Sequence, residues 1–169
     1  LRDGLAGFYF FLVPRLYSLG GGVAIVYRDC MTVKPQVSTK FVSFEYMECT
    51  LRLDTEWIRM VSVYRPPPSK SNGFTVRQFM NEFTTLLEIL AVSQGQLLIL
   101  GDFNFHIDNL NDSCTKQFLN VLSLFNLVQN VRGPTHNLGH TLDLVITRST
   151  ENLLCDLTIH NPNISDHYA

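Results

Sequence analysis

The most constraining pattern in this chain is an amphipathic helix followed at once by a short apolar strand. From about Val76 to Val92, apolar residues recur at helical spacing and would share one face. Thr75 and Gln78 form a capping box at the start of this helix. The residues at 97–100 are wholly apolar, which is typical of a central strand buried on both sides. A chain with this order has to pack a helix against a sheet.

Other apolar runs predict strands on either side of this unit. The predicted elements are strands at 23–27, 42–53, 58–64, 142–146 and 153–159, with a second helix at about 114–125. The apolar positions of the second strand change phase at Tyr46 and Met47, which indicates either a bulge or burial on both faces. This order predicts an α/β fold, a four-layer sandwich of two packed mixed β-sheets flanked by helices.

Composition restricts the classes of function. The chain has 169 residues, of which 46% are hydrophobic and 17% charged, as expected for one globular domain. A net charge of -2 argues against a broad phosphate-binding surface. It does not argue against a nuclease, because the carboxylates of a metal site lower the sum. The apolar run from Leu5 to Val13 is too short to span a membrane. It could form a signal-peptide core, although Asp3 stands where a basic leader is usual.

Two pairs of polar residues stand where predicted strands end. Asp102 and Asn104 follow the wholly apolar run, after a glycine that permits close approach of the backbone. In an extended segment both side chains would point to the same side. A loop-capping Asx turn is the alternative. Tyr64 and Arg65 precede a run of prolines and suit phosphate binding. Their alternative roles are a strand-end tyrosine and a solvated arginine.

Asp143 lies inside an apolar strand, where a carboxylate is costly unless it is hydrogen-bonded or paired. It either caps backbone amides or orients a histidine, as the acid of a catalytic triad does. His167 is the natural partner for the second role. His140, in the loop before Asp143, is the best placed of the other histidines for substrate contact. The remaining histidines are predicted to be surface or structural residues; they are His106, His136 and His160.

Four motifs, taken in this order, resemble the apurinic/apyrimidinic-type endonuclease domain of LINE-type (non-LTR) retrotransposons, in the endonuclease/exonuclease/phosphatase superfamily. The motifs are V-Y-R-P-P at 63–67, G-D-F-N at 101–104, T-L-D-L-V-I-T at 141–147 and S-D-H at 165–167. The stretches G-G-G-V-A-I at 20–25 and F-E-Y at 44–46 also resemble that family. We therefore divide the chain into a segment without family resemblance, 1–19, and a partial endonuclease/exonuclease/phosphatase domain, 20–169.

The resemblance implies metal-dependent hydrolysis of phosphodiester bonds, as in a DNA-nicking endonuclease of a retrotransposon. It implies that His167 activates the attacking water and that Asp143 orients His167. It also implies that Asp102 assists proton transfer, that Asn104 steadies the phosphate oxygens, and that Tyr64 binds the phosphate. These are the roles that hydrolysis of a phosphodiester requires.

The same resemblance implies a metal and partners. Asp166 would help to hold Mg²⁺ (or Mn²⁺), and Arg65, His140 and Thr141 would contact the substrate phosphate. DNA would be the substrate, and the reverse transcriptase domain of the same element would be a partner in the full-length protein. The expected site of action is the nucleus, with the protein otherwise in the cytoplasm, and no membrane is involved.

The sequence departs from the family towards both ends. The family has an early Asn-containing strand and a metal-binding Glu before the glycine-rich stretch, but residues 1–19 contain no Glu and one Asp, Asp3. The strand that follows S-D-H in the family is also missing. We therefore expect a sandwich incomplete at both termini, weak Mg²⁺ binding and impaired activity. The alternatives are a degenerate or domesticated non-catalytic fragment, and a phosphatase or phosphodiesterase of the same superfamily.

Overall fold

A computed structural model describes residues 7–14, 22–36 and 40–168. The described residues form two β-sheets and two helices. In chain order the elements are β1 (Phe8–Pro14), β2 (Gly22–Arg28), β3 (Thr32–Pro35), β4 (Glu45–Leu53), β5 (Glu56–Tyr64), α1 (Val76–Ala91), β6 (Gln96–Asp102), α2 (Ser113–Leu124), β7 (Leu127–Gln129) and β8 (Asp143–Arg148).

The larger sheet has six strands in the order β3-β4-β5-β6-β8-β7. Strands β5 and β6 run parallel, and the other neighbouring pairs run antiparallel. Parallel neighbours need a long crossover connection, and here α1 supplies it. The sheet is therefore mixed, and β5 and β6 end at the same edge.

Helices α1 and α2 cover one face of the large sheet. Their apolar sides join the inward residues of β5, β6 and β8 in one core, which is rich in phenylalanine. The Thr75 hydroxyl accepts a hydrogen bond from the Gln78 backbone N–H at the start of α1. The Gln78 side chain donates to Glu82 instead of returning to Thr75, so one half of the predicted capping box forms. The fully buried core side chains of α1 are Phe79, Phe83, Leu86, Leu87 and Leu90.

The opposite face of the large sheet carries a two-stranded antiparallel sheet made of β1 and β2. Phe11, Val23 and Ile25 of the small sheet pack on Met47 and Cys49 of β4. The described residues thus form three layers, which are helices, large sheet and small sheet. This confirms the predicted α/β sandwich of two packed sheets, while a fourth layer is not found in the described parts of the chain.

The small sheet also shows how the apolar run near the start of the chain is used. The run forms β1, which pairs along its whole length with β2. Residues numbered below 20 therefore contribute to the sandwich. The first two residues of the family-like stretch at 20–25, Gly20 and Gly21, lie outside the described residues. In the described part of the chain, no helix is both long enough and apolar enough to cross a membrane.

Two details of the strand prediction are resolved by the sheet. Strand β4 keeps an unbroken register with β5 from Glu45 to Leu53, and residues 46–49 are all buried. The change of phase therefore reflects burial on both faces. The prediction of a strand at 153–159 is wrong, because these residues form no strand. The position beside β8 at the edge of the sheet is occupied by β7. The short strands β3 and β7 have too few residues to show an apolar alternation.

Candidate functional site

Four neighbouring strands bring polar side chains to the same level of the large sheet. The register places Glu45 opposite Tyr64, Tyr64 opposite Asp102, and Asp102 opposite Asp143. Residues directly opposite each other on adjacent strands share a face of the sheet, so these four side chains form a row. Tyr64 also packs against the apolar cluster between the two sheets, which puts the row on the side of the small sheet.

Gly101 allows this row to form. Its φ is +143°, and a Cβ at this position would lie 1.8 Å from the carbonyl oxygen of Val63 on β5. No side chain fits there, so only glycine lets β6 approach β5 this closely. The predicted role of the glycine before Asp102 is confirmed.

The residues after Asp102 turn sharply. Asn104 has a φ of +51°, and its backbone N–H donates to Asp102 Oδ1 at 3.0 Å, which is an Asx turn. The side-chain amide nitrogen of Asn104 donates to Asp102 Oδ2 at 2.9 Å and to the Arg65 carbonyl at 2.8 Å. Both amide hydrogens are therefore engaged within the protein. Asn104 lies at the site as predicted, but here it positions Asp102; its phosphate-binding role stays a prediction.

Arg65 is buried and its guanidinium is engaged within the protein; its assignment as a contact of the substrate phosphate stays a prediction. Its side chain is 2% exposed, so it is not a solvated arginine. The guanidinium donates to the carbonyls of Phe103 and Asn104 and stacks 4.0 Å from the centre of the Phe105 ring. Burial lowers the pKa of Arg65 to about 10, so it is still charged at neutral pH. Arg65 supports the loop that carries Asp102.

The predicted contact between Asp143 and His167 is present. His167 Nδ1 lies 2.8 Å from Asp143 Oδ2, and both side chains are about one-third exposed, at 34% and 31%. The two residues are 24 positions apart in sequence. The catalytic roles assigned to them stay predictions, but the geometry that those roles require exists.

His167 belongs to a turn that leaves the sheet. Within this turn, the Ser165 hydroxyl accepts from the His167 backbone N–H and donates to the His167 carbonyl. Asp166 is 63% exposed and lies beside His136, with 3.4 Å between its Oδ2 and His136 Nε2. We call Tyr64, Asp102 and Asp143 the strand half of the site, and Asp166 and His167 the loop half.

Two ionisable groups at the site have perturbed pKa values. Burial raises the pKa of Asp102 to about 6, and the charge of Asp143 adds to the effect, against hydrogen bonds from Asn104 and the charge of His167. For His167, burial opposes the charged form. The hydrogen bond to Asp143 and the charges of Asp143, Asp102 and Asp166 outweigh it, so the pKa of His167 is raised. Perturbation of this kind is typical of functional sites.

His140 and Thr141 occupy a separate loop. Thr141 is buried and its hydroxyl donates to the Gly133 carbonyl at 2.6 Å; its assignment as a substrate contact stays a prediction. His140 is partly exposed, lies 3.1 Å from Asp108, and stacks on His106 with 3.9 Å between ring centres. Its assignment as a substrate contact stays a prediction.

The donor atoms present fit a divalent cation. One ligand atom from each of Asp102, Asp143 and His167 lies within 4.8 Å of the others, and Glu45 stands in the same row. Mg²⁺ takes oxygen ligands, often from one or two carboxylates, with water and substrate phosphate completing the shell. The mutual repulsion of Asp102 and Asp143, part of the reason that the Asp102 pKa is raised, is the charge that such a cation would neutralise.

The sequence analysis missed three residues that the fold brings to the site. Glu45 was noted as part of a family-like stretch but not as a carboxylate of the site. His136 was expected to be a surface or structural residue, and its side chain, 13% exposed, touches Asp166. Thr135 accepts hydrogen bonds from the backbone of Leu142 and Asp143. No local sequence pattern marks these residues, because their roles depend on how strands pair and loops return.

Comparison with solved structures identifies proteins that have a similar fold. The structure is similar to the endonuclease domain of TRAS1, a telomere-specific non-LTR retrotransposon, with a TM-score of 0.73 and 16% identity over 97% of this chain and 76% of that one. It is also similar to the human Nocturnin catalytic domain with bound sulfate, with a TM-score of 0.59 and 16% identity over 83% of this chain and 60% of that one.

A third similar structure is D. rerio TDP2 complexed with a single-strand DNA product, with a TM-score of 0.58 and 11% identity over 92% of this chain and 67% of that one. At these identities the likeness shows the fold alone, which is that of endonuclease/exonuclease/phosphatase proteins. Residues 58–169 match the family described as Endonuclease-reverse transcriptase. Because this match spans more than half of the sequence, the chain belongs to that family. No curated protein matches the sequence.

Proposed function

We propose that this chain is a divalent-metal-dependent endonuclease that nicks DNA, from a retrotransposon of the LINE type. The observation that carries the proposal is the contact of 2.8 Å between Asp143 and His167 beside the partly buried Asp102. The name of the family supports a DNA substrate and a reverse transcriptase as covalent partner. The nucleus, where chromosomal DNA lies, is the proposed site of action.

His167 is the proposed general base. A hydrogen on Nδ1, held by the Asp143 carboxylate, leaves the lone pair of Nε2 to accept a proton from water. The oxygen of that water then attacks phosphorus, and the bond from phosphorus to the leaving oxygen breaks. The negative charge of Asp143 stabilises the imidazolium that forms, in line with the raised pKa of His167.

Asp102 is the proposed proton donor to the leaving oxygen. Its pKa of about 6 means that a fraction of the molecules carries this proton near neutral pH. Asn104 holds both carboxylate oxygens of Asp102, through its backbone and its side chain, and so fixes the direction of the carboxyl. Tyr64, next to Asp102 in the row, is the proposed phosphate contact.

Asp166, which lies beside His167, would help to hold Mg²⁺ or Mn²⁺ at the site. When bound, such a cation neutralises the negative charge that develops on the phosphate oxygens. Glu45 stands at the same level of the sheet, opposite Tyr64.

The test is conversion of supercoiled plasmid to nicked circles with Mg²⁺, compared with the same reaction in excess EDTA. His167→Ala or Asp102→Ala should lower the nicking rate by about 10²-fold or more, which is the usual size of a general acid–base contribution. The matched control is His160→Ala, because His160 is exposed and contacts Thr158 rather than the site. This control should nick like the unchanged protein.

Two results would refute the proposal. Nicking that is equally fast in the His167→Ala variant would show that the Asp143–His167 pair does not act. Hydrolysis of the monoester p-nitrophenyl phosphate, with no cleavage of plasmid or of the diester bis-p-nitrophenyl phosphate, would assign the chain to the phosphatases of the superfamily. A folded protein inactive on all three would support the degenerate, non-catalytic alternative.

A further inference from the structure

One segment of the chain holds both members of the Asp143–His167 pair. Residues 135–137 form a short antiparallel bridge with the S-D-H turn, in which His136 stands opposite His167. The backbone N–H of Asn137 donates to the Asp166 carbonyl at 2.8 Å, and that of Tyr168 donates to the Thr135 carbonyl at 2.8 Å. The loop half of the site is therefore tied to this segment through its backbone.

The same segment fixes the strand half. The hydroxyl of Thr135, which is 3% exposed, accepts hydrogen bonds from the backbone N–H groups of Leu142 at 2.9 Å and Asp143 at 3.0 Å. Thr135 thus binds the start of β8 with its side chain and the end of the S-D-H turn with its carbonyl. Thr135 therefore links the start of the strand that carries Asp143 to the turn that carries His167.

His136 adds a side-chain contact to the loop half. The Leu138 backbone N–H donates to His136 Nδ1 at 3.2 Å, so Nδ1 carries the lone pair and, in the neutral ring, Nε2 carries the hydrogen. The Asp166 carboxylate lies beside this group, with 3.4 Å between its Oδ2 and His136 Nε2, a distance at which an N–H and a carboxylate attract each other. The His136 ring also meets the His167 ring edge to face, with 5.0 Å between centres.

The tautomer of His136 decides between two roles. One ligand atom from each of His136, Asp166 and His167 lies within 4.8 Å of the others, a set that could hold a transition metal. A histidine that binds metal through Nε2 needs its lone pair there and normally donates a hydrogen from Nδ1. Here Nδ1 already accepts one. The arrangement favours a hydrogen-bond donor over a metal ligand.

We propose that His136 is a positioning residue, whose Nε2–H holds Asp166 and thereby keeps the S-D-H turn, with His167, against Asp143. This inference rests on the proposed function, since it takes His167 as the general base. In the protein without DNA, the bridge between 135–137 and 166–168 should likewise depend on the His136 side chain.

The test compares two substitutions. His136→Phe keeps an aromatic ring but has no donor, whereas the terminal amide of Gln in His136→Gln can donate from about the place of Nε2. In plasmid nicking, the Phe variant should show a kcat lower by about three- to tenfold, the loss of one hydrogen bond to a solvated carboxylate. Its KM for DNA should be unchanged, and the Gln variant should recover most of the kcat.

Amide hydrogen exchange gives a second readout that needs no activity. The N–H groups of Asn137 and Tyr168 form the bridge, so both should exchange about three- to tenfold faster in His136→Phe than in the unchanged protein or in His136→Gln. Exchange within β5 and β6 should not change. The matched control is His160→Phe, an exposed histidine on another part of the loop, which should alter neither readout.

Several outcomes would overturn the proposal. They are an unchanged kcat in His136→Phe, a Gln variant as slow as the Phe variant, a change confined to KM, and unchanged exchange at Asn137 and Tyr168. Tight binding of Zn²⁺ to the unchanged protein that is lost in both variants would instead make His136 a metal ligand. If no variant nicks DNA but the exchange results hold, the proposed function fails while the positioning role stands.

Discussion

The strand half and the loop half of the site are built by different means. Tyr64, Asp102 and Asp143 stand on three strands whose mutual register is set along the whole ladder of backbone hydrogen bonds. Asp166 and His167 stand in a turn with no strand of its own, joined to the body by an isolated bridge and a few side-chain contacts.

Because of this difference, substitutions in the two halves should have different structural effects. In the strand half, a substitution at a polar residue changes charge while the ladder keeps the backbone in place. In the loop half, the same kind of substitution also removes one of the few contacts that hold the turn. Local stability follows the number of buried contacts and shared hydrogen bonds, so the loop half should open first.

The largest expected effect is at the backbone of the strand half. Gly101→Ala should destabilise the protein by about 4 kcal/mol or more, because its Cβ would lie 1.8 Å from the Val63 carbonyl oxygen at a φ of +143°. Gly139 is the matched glycine beside the loop half, with a φ of +85° and nothing within 4 Å of an added Cβ. Gly139→Ala should cost about 1 kcal/mol. Urea unfolding curves would measure both, and equal costs would contradict the contrast drawn between the halves.

The next effect concerns the support beneath Asp102. Arg65→Lys should destabilise the protein by about 2 kcal/mol, since an ammonium has no planar face to stack on Phe105 while it donates to the two carbonyls that Arg65 Nη1 reaches. Thermal unfolding measures this loss. Arg77→Lys, on the exposed side of α1, is the control and should cost little. If the Arg65→Lys variant is as stable as the unchanged protein but has a raised KM for DNA, Arg65 binds the substrate phosphate as the sequence predicts.

The smallest effect depends on pH. Because the folded-state pKa of Asp102 is raised to about 6, the folded protein holds this proton more tightly than the unfolded chain. The stabilisation from this group is present at low pH and is lost as pH rises through about 6. Asp102→Asn removes the buried charge. The free energy of unfolding of Asp102→Asn, minus that of the unchanged protein, should therefore rise by about 1–2 kcal/mol as the pH increases from 4.5 to 8.

Chemical denaturation in EDTA at several pH values checks this sign. Asn also has one acceptor oxygen fewer than the carboxylate that Asn104 contacts. Because Asn does not titrate, the pH trend of the difference comes from Asp102 in the unchanged protein, and this trend is the diagnostic quantity. Asp156→Asn, at an exposed position, should show no trend. A difference between Asp102→Asn and the unchanged protein that falls with rising pH would mean that burial does not govern this carboxyl.

Sequence patterns identified most of the elements around the site. The apolar spacing of α1, the wholly apolar β6 and the runs that form β5 and β8 predict these elements within a few residues, because each is set by local periodicity. The same patterns placed Asp102 at a strand end. They also placed Asp143 inside a strand, but it is the first residue of β8 and its side chain is 31% exposed. The expected partner is nevertheless correct, because the contact between Asp143 and His167 is present.

Sequence alone could not predict environments made by distant segments. The polar character of Arg65 suggested a phosphate or water, but Phe79 and Phe105, from two other parts of the chain, enclose it. The run at 153–159 has the composition of a strand, but β7 takes the edge beside β8. In both cases the deciding neighbour is far away in sequence, so local pattern carries no information about it.

What the sequence by itself determined is therefore most of the strands and helices around the site and the identity of the polar residues at their ends. Their periodicity is a local property, and a buried charge demands a partner wherever it lies. The tertiary structure decided which of those residues meet. It set the register that aligns Glu45 with Tyr64, Asp102 and Asp143, and the bridge that brings His136 to Asp166. Such contacts depend on which strands pair and on the paths of the loops. Strand pairing and loop paths are set by the burial of apolar surface from all parts of the chain.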